Sequence, residues 1–111
     1  MRYVQSSVTA ETWEPFVVGD RSIGEVHYIR EQASDAGRTL VVALWRSSPQ
    51  TFEYVFEDDE TLHLIEGKVQ VTYDDGESVT IEPGDIVSFR KGAATTWTVL
   101  ENSKKLFVVA G

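Results

Sequence analysis

From Thr51 to Gly111 apolar and polar residues alternate in short runs: LHLI, KVQVTY, SVTI, DIVSF, TTWTVL and LFVV. Turn-forming groups punctuate them, namely Glu66-Gly67, Asp74-Asp75-Gly76, Pro83-Gly84-Asp85 and Lys91-Gly92. An alternation of period two sends successive side chains to opposite faces of a strand. The runs are rich in Val, Ile, Thr and aromatics and too short for helices. Their spacing of eight to twelve residues predicts an antiparallel sandwich or barrel.

Upstream, two further strands are expected over Glu25–Arg30 and Arg38–Arg46, with a turn at Asp35-Ala36-Gly37 between them. The stretch to Asp20 is less patterned. Its apolar residues Tyr3, Val4, Trp13, Phe16, Val17 and Val18 suggest a strand or arm laid across the barrel. The chain reads as one domain over residues 1–111, with the arm or strand at 1–20 and the patterned barrel core at 38–111. Pro15, Pro49 and Pro83 fall at segment boundaries, where a missing backbone N–H costs least. No window has helical periodicity, so almost no helix is expected.

Composition narrows the partners. The 111 residues suffice for one core, and nothing resembles a transmembrane run or a signal peptide. Cysteine is absent, which excludes disulfides and thiolate metal sites and points to a reducing, cytoplasmic setting. The net charge of −8 argues against nucleic acid, because neutralising phosphates takes clustered Lys and Arg. Between Glu53 and Asp85, Lys68 is the only Lys or Arg. That acidity solubilises the surface, or else the run Glu57-Asp58-Asp59-Glu60 guards a pocket.

Strand alternation also sorts the candidate chemistry. If Glu60 points inward, Leu62 and Leu64 do too, while Thr61, His63 and Ile65 face out. Thr95, Trp97 and Val99 share a face, as do Phe52, Tyr54 and Phe56. An interior so built is aromatic with a few polar points, as small-molecule sites are. Glu60 among aromatic rings would be desolvated, which makes a carboxylate an acid or base near neutral pH. Tyr54 could donate a proton. Ser88, Thr95 and Thr96 have no histidine at a matching position, so no nucleophile–base pair is legible. Trp45 and Trp97 are core residues or stacking surfaces for a planar ligand. A homodimer is expected through the outer sheet face, where His63, Ile65, Val87 and Phe89 would form an apolar outward set.

The turns and spacings resemble the two signature blocks of the cupin superfamily. In the first block a Glu precedes a Gly by six intervening residues, as Glu60 and Gly67 do here. The histidines of that block fall at Tyr54 and Phe56. In the second block Gly84 and Gly92 match, and Thr95 stands at the histidine position. The chain is also similar to small single-domain cupins grouped with the cupin domain of (S)-ureidoglycine aminohydrolase. The elements carrying that likeness are Trp45, Tyr54 with Phe56, Asp59-Glu60, Glu66-Gly67 as a hairpin, Pro83-Gly84-Asp85, Trp97-Thr98-Val99, and Lys104-Lys105 as a turn.

The resemblance implies an all-β jelly-roll barrel. A cupin metal site takes about three imidazoles and one carboxylate, and only Glu60 of those four is present. His27 and His63 are the only histidines, so neither a bound metal nor another cofactor is expected. The sequence therefore predicts a small-molecule binder with a pocket of Trp45, Tyr54, Phe56, Glu60, Leu62, Thr95 and Trp97. The alternative is an enzyme acting on a small nitrogenous or carboxylated metabolite, with Glu60 and Tyr54 catalytic. A third reading is a non-catalytic assembly or regulatory module, favoured if the barrel is filled by its own side chains. Neither a nucleic-acid nor a membrane partner is expected.

Overall fold

The computed structural model describes residues 2–33 and 37–111. It has strands β1 (Glu14–Val18), β2 (Arg21–Ala33), β3 (Thr39–Ser47), β4 (Gln50–Val55), β5 (Asp59–Tyr73), β6 (Ser78–Ile81), β7 (Ile86–Phe89) and β8 (Ala94–Ala110). No helix occurs among the described residues, and so none is long and apolar enough to cross a membrane. Asp35 and Ala36 of the expected turn lie outside the described residues. All pairings are antiparallel.

Two long strands carry the architecture. β5 and β8 pair along their whole length, from Asp59 opposite Ala110 to Tyr73 opposite Thr95. The first half of β5 and the second half of β8 lie in one layer, ordered β1-β2-β3-β8-β5-β7. Their other halves form the second layer, ordered β4-β8-β5-β6. Strands that bend and change sheet in this way close a jelly roll, as the hydrophobic pattern predicts.

The sheet change corrects two expected turns. Glu66-Gly67 is no hairpin; it sits within β5 where the register slips between Leu64 and Val69. Lys104-Lys105 is no turn; both residues lie inside β8. Gly67 adopts φ 98°, and a Cβ there would collide with the Ser103 side chain and the Asn102 carbonyl. Glycine here serves a bulge, which bends a strand without ending it. Ser103 repairs the disrupted ladder: its hydroxyl accepts from the Lys68 N–H and donates to the Glu101 carbonyl.

Opposed residues of a sheet share a face, and this corrects the phase of β7. Phe89 pairs with Glu60 and Val87 with Leu62, so both point inward and not outward. Phe89 is 2% exposed and stacks on Phe56 with ring centroids 4.7 Å apart. Ile86 and Ser88 take the outer face with Thr61 and His63. On that face one cross-strand row runs His27, Leu44, Leu106, His63.

The N-terminal stretch divides into β1, paired to β2, and an arm preceding it. His27 clasps the arm with both ring nitrogens: Nδ1 donates to the Thr12 carbonyl and Nε2 bonds the Ser6 hydroxyl, each at 2.7 Å. Lys104 Nζ donates to the Val8 carbonyl, and Trp13 lies under the Arg46 guanidinium at 4.1 Å.

Gly67→Ala should lower unfolding stability by more than Gly76→Ala. Both residues have positive φ, a penalty of about 1–2 kcal/mol for a residue with a Cβ, but a Cβ on Gly76 meets nothing within 4 Å. Equilibrium denaturation of the two variants measures the difference.

Candidate functional site

An ion pair lies inside the aromatic barrel. β5 turns Glu60, Leu62 and Leu64 inward, and β8 turns Lys105, Phe107 and Trp97 inward. Lys105 stands in register between Trp45 of β3 and Leu64 of β5. Its Nζ donates to Glu60 Oε2 at 3.0 Å. Both residues are buried, Glu60 at 3% and Lys105 at 7% exposure. Three rings surround the ammonium, their centroids 4.3 Å (Trp97), 4.9 Å (Phe107) and 5.1 Å (Trp45) from Nζ. Ring faces attract a cation, more strongly once water is excluded.

Sequence reasoning missed Lys105 because Lys104-Lys105 looked like a turn. The signal was present: Lys105 alternates in phase with Phe107 and Val109. Its recovery supplies what no pairing by motif offered, an amine within hydrogen-bond reach of a carboxylate.

The barrel is nearly filled. A cleft of about 10 Å³ remains, lined by Phe16, Ile23, Trp45, Phe52, Tyr54, Glu60, Trp97, Lys105 and Phe107, room for about one water molecule. Trp45, Tyr54, Glu60 and Trp97 of the expected pocket meet there. Phe56, Leu62 and Thr95 do not. Phe56 stacks on Phe89, Leu62 is packed in the core, and the Thr95 hydroxyl donates to the Tyr54 carbonyl across the strand pair. Two wider grooves of about 540 Å³ each open elsewhere, one along Ser22, Arg46, Ser47 and Asn102, the other under Arg2 and Tyr3. Neither holds a buried charge, so the chemistry points to the small cleft.

Two donors in the cleft wall stand out. Burial, aided by Glu60, Glu57 and Asp58, holds the Tyr54 phenol far above its ordinary range, so it remains a protonated donor. Trp45 Nε1 donates to the Ile23 carbonyl and Trp13 Nε1 to the Ala10 carbonyl, both at 2.8 Å. Trp97 Nε1 is the one buried side-chain polar atom without a partner among the described residues.

The positions matching a cupin metal site do not fit a metal. Glu60 is committed to Lys105, Phe56 offers no lone pair, and the Thr95 hydroxyl is spent on the Tyr54 carbonyl. His27 lies on the outer face under the arm and His63 at the far end of the same row. Among the described residues no three of His, Asp and Glu converge.

Removing one partner of a buried pair strands a charge in a low-dielectric site, which costs about 3–5 kcal/mol. Lys105→Met and Glu60→Leu should each lose stability on that order. The double variant should lose much less than the sum, since no charge is left unpaired. A denaturant double-mutant cycle reads the coupling.

The comparisons agree with the fold. Residues 34–107 match the EutQ-like cupin domain. A crystal structure of a DUF861 family protein from Thermotoga maritima is 38% identical, covering 60% of this chain and 75% of that one, with TM-score 0.58. A putative ethanolamine utilization protein Q from Salmonella typhimurium is 18% identical over 77% of this chain and 67% of its own, TM-score 0.64. The Clostridium difficile EutQ protein is 19% identical over 78% and 68%, TM-score 0.62. The last two likenesses show the fold alone. No curated protein matches the chain. With its family match spanning most of the barrel, the chain belongs to the EutQ-like cupin domains of the cupin superfamily.

Proposed function

We propose that this cupin domain binds a small organic molecule at the cleft over Glu60 and Lys105. The carrying observation is the ion pair itself, 3.0 Å long and enclosed by three aromatic rings. Desolvating two charges costs several kcal/mol, and apolar residues of like volume would pack at least as well. A costly pair beneath a cleft is the pattern expected of a functional site. Because only about 10 Å³ is free, the ligand meets the pair from the cleft mouth, against the half-buried Phe16 and Tyr54, and is not swallowed whole.

A second reading is enzymatic, and the Nζ–Oε2 contact favours it. Lys105 Nζ and Glu60 Oε2 are in hydrogen-bond contact, and Tyr54 stands by as a donor. That combination suits acid–base work on a small nitrogenous or carboxylated metabolite, with Glu60 and Tyr54 in the catalytic roles and Lys105 as their proton partner. The likeness to the cupin domain of (S)-ureidoglycine aminohydrolase supports this reading only through the shared strand and turn elements. The names of the two ethanolamine utilization neighbours carry no substrate across at such low identity.

A thermal-shift screen of small carbonyl compounds, carboxylates and amines tests the binding reading. A ligand at a hundred times its Kd stabilises the native state by about 2.7 kcal/mol. At least one compound should raise the melting temperature of the wild type and fail to do so for Tyr54→Phe. Mass spectrometry of the hit then separates the two readings: turnover that disappears in Glu60→Gln is enzymatic. A screen in which no compound shifts the transition would leave a filled, non-catalytic assembly module.

A further inference from the structure

We propose that the cleft recognises the oxygen of a small neutral carbonyl compound, an amide, urea, ketone or aldehyde, through hydrogen bonds from Trp97, Lys105 and Tyr54. This inference rests on the reading that the Glu60–Lys105 cleft is the binding site, and adds the chemistry of what fits it.

Two of the three indole N–H groups have backbone acceptors, Ala10 for Trp13 and Ile23 for Trp45. Trp97 is 2% exposed, lines the cleft, and has no acceptor for its Nε1. A buried donor left unpaired costs about 1–3 kcal/mol, so such groups are rare and call for an explanation. Lys105 adds to the surplus. An ammonium carries three donors, and one of them goes to Glu60. Tyr54, kept protonated, supplies another. Against these donors the cleft side chains offer one strong acceptor, the Glu60 carboxylate, and Lys105 engages one of its two oxygens. A ligand that satisfies this wall must bring lone pairs.

Charge decides among acceptors. Lys105 and Glu60 cancel, and Glu57 and Asp58 act on Tyr54 from the rim. A carboxylate would add a negative charge beside Glu60 with no free cation to offset it. An ammonium would meet the like charge of Lys105. A carbonyl oxygen takes the donors without either penalty. Size agrees as well: the free space of about 10 Å³ admits one oxygen, while the rest of the ligand lies at the mouth against Phe16 and Tyr54, the lining residues that are not buried.

The three indoles make the test direct, because each N–H gives its own signal in a proton–nitrogen spectrum of the labelled protein. Acetone, acetate and ethylammonium are similar in size and differ in charge. In titrations of the wild type, acetone should move the Trp97 signal downfield and saturably, with the signal of Trp13, which lies outside the cleft lining, fixed as the internal reference. Acetate should need at least tenfold higher concentration, and ethylammonium should leave Trp97 unmoved. Trp13→Phe and Trp97→Phe each assign one signal by its loss, and the third belongs to Trp45. The proposal is overturned if acetate or ethylammonium shifts Trp97 at lower concentration than acetone, if no probe shifts it, or if all three signals drift together without saturating. A screening hit that protects the cleft but leaves Trp97 unmoved would sink this inference alone. Absence of any cleft ligand would sink the binding reading with it.

Discussion

The barrel is organised around one unfavourable act, the burial of a carboxylate and an ammonium in an aromatic interior. Glu60 can be buried only because Lys105 reaches it, and Lys105 only because three rings and Glu60 replace its water. The two come from the long strands that also hold the two sheets together. They share one unbroken register, from Asp59 opposite Ala110 to Leu64 opposite Lys105, and the bulge at Gly67 begins beyond it, where β5 passes to the second layer.

The same pair accounts for the departure from a metal-binding cupin pattern. A carboxylate in a barrel needs a positive partner. In the metal-dependent pattern an ion held by imidazoles would serve. Here Tyr54, Phe56 and Thr95 stand at the imidazole positions, and the partner is an amine carried on β8. Phe56 stacks on Phe89, and Thr95 pins the Tyr54 backbone. These residues have been absorbed into packing, while Tyr54 and Glu60 still reach the cleft.

The all-β fold was legible because its cause is local. Period-two alternation and turn residues predict strands, and the inward phases of Glu60, Thr95 and Trp97 follow from alternation alone. What failed was non-local. Whether Gly67 ends a strand or kinks it depends on Ser103 and Asn102, some 35 residues away. The phase of β7 depends on its register with β5, so Phe89 was placed on the wrong face. Lys105 was hidden by both effects, since a charged residue beside another lysine reads as solvent-exposed until its strand partners are known. The expected pocket shrank for a similar reason: seven side chains facing inward say nothing of how well they interlock.

The state of the Lys105 side chain tests the central claim most directly. A methylene held beside the faces of Trp45, Trp97 and Phe107 feels their ring currents. The Lys105 ε-methylene protons should therefore resonate well upfield of those of Lys68, Lys91 and Lys104, and return towards them in Glu60→Gln as the pair loosens. An ε-methylene signal for Lys105 at the position of a solvent-exposed lysine, unchanged by Glu60→Gln, would contradict the account.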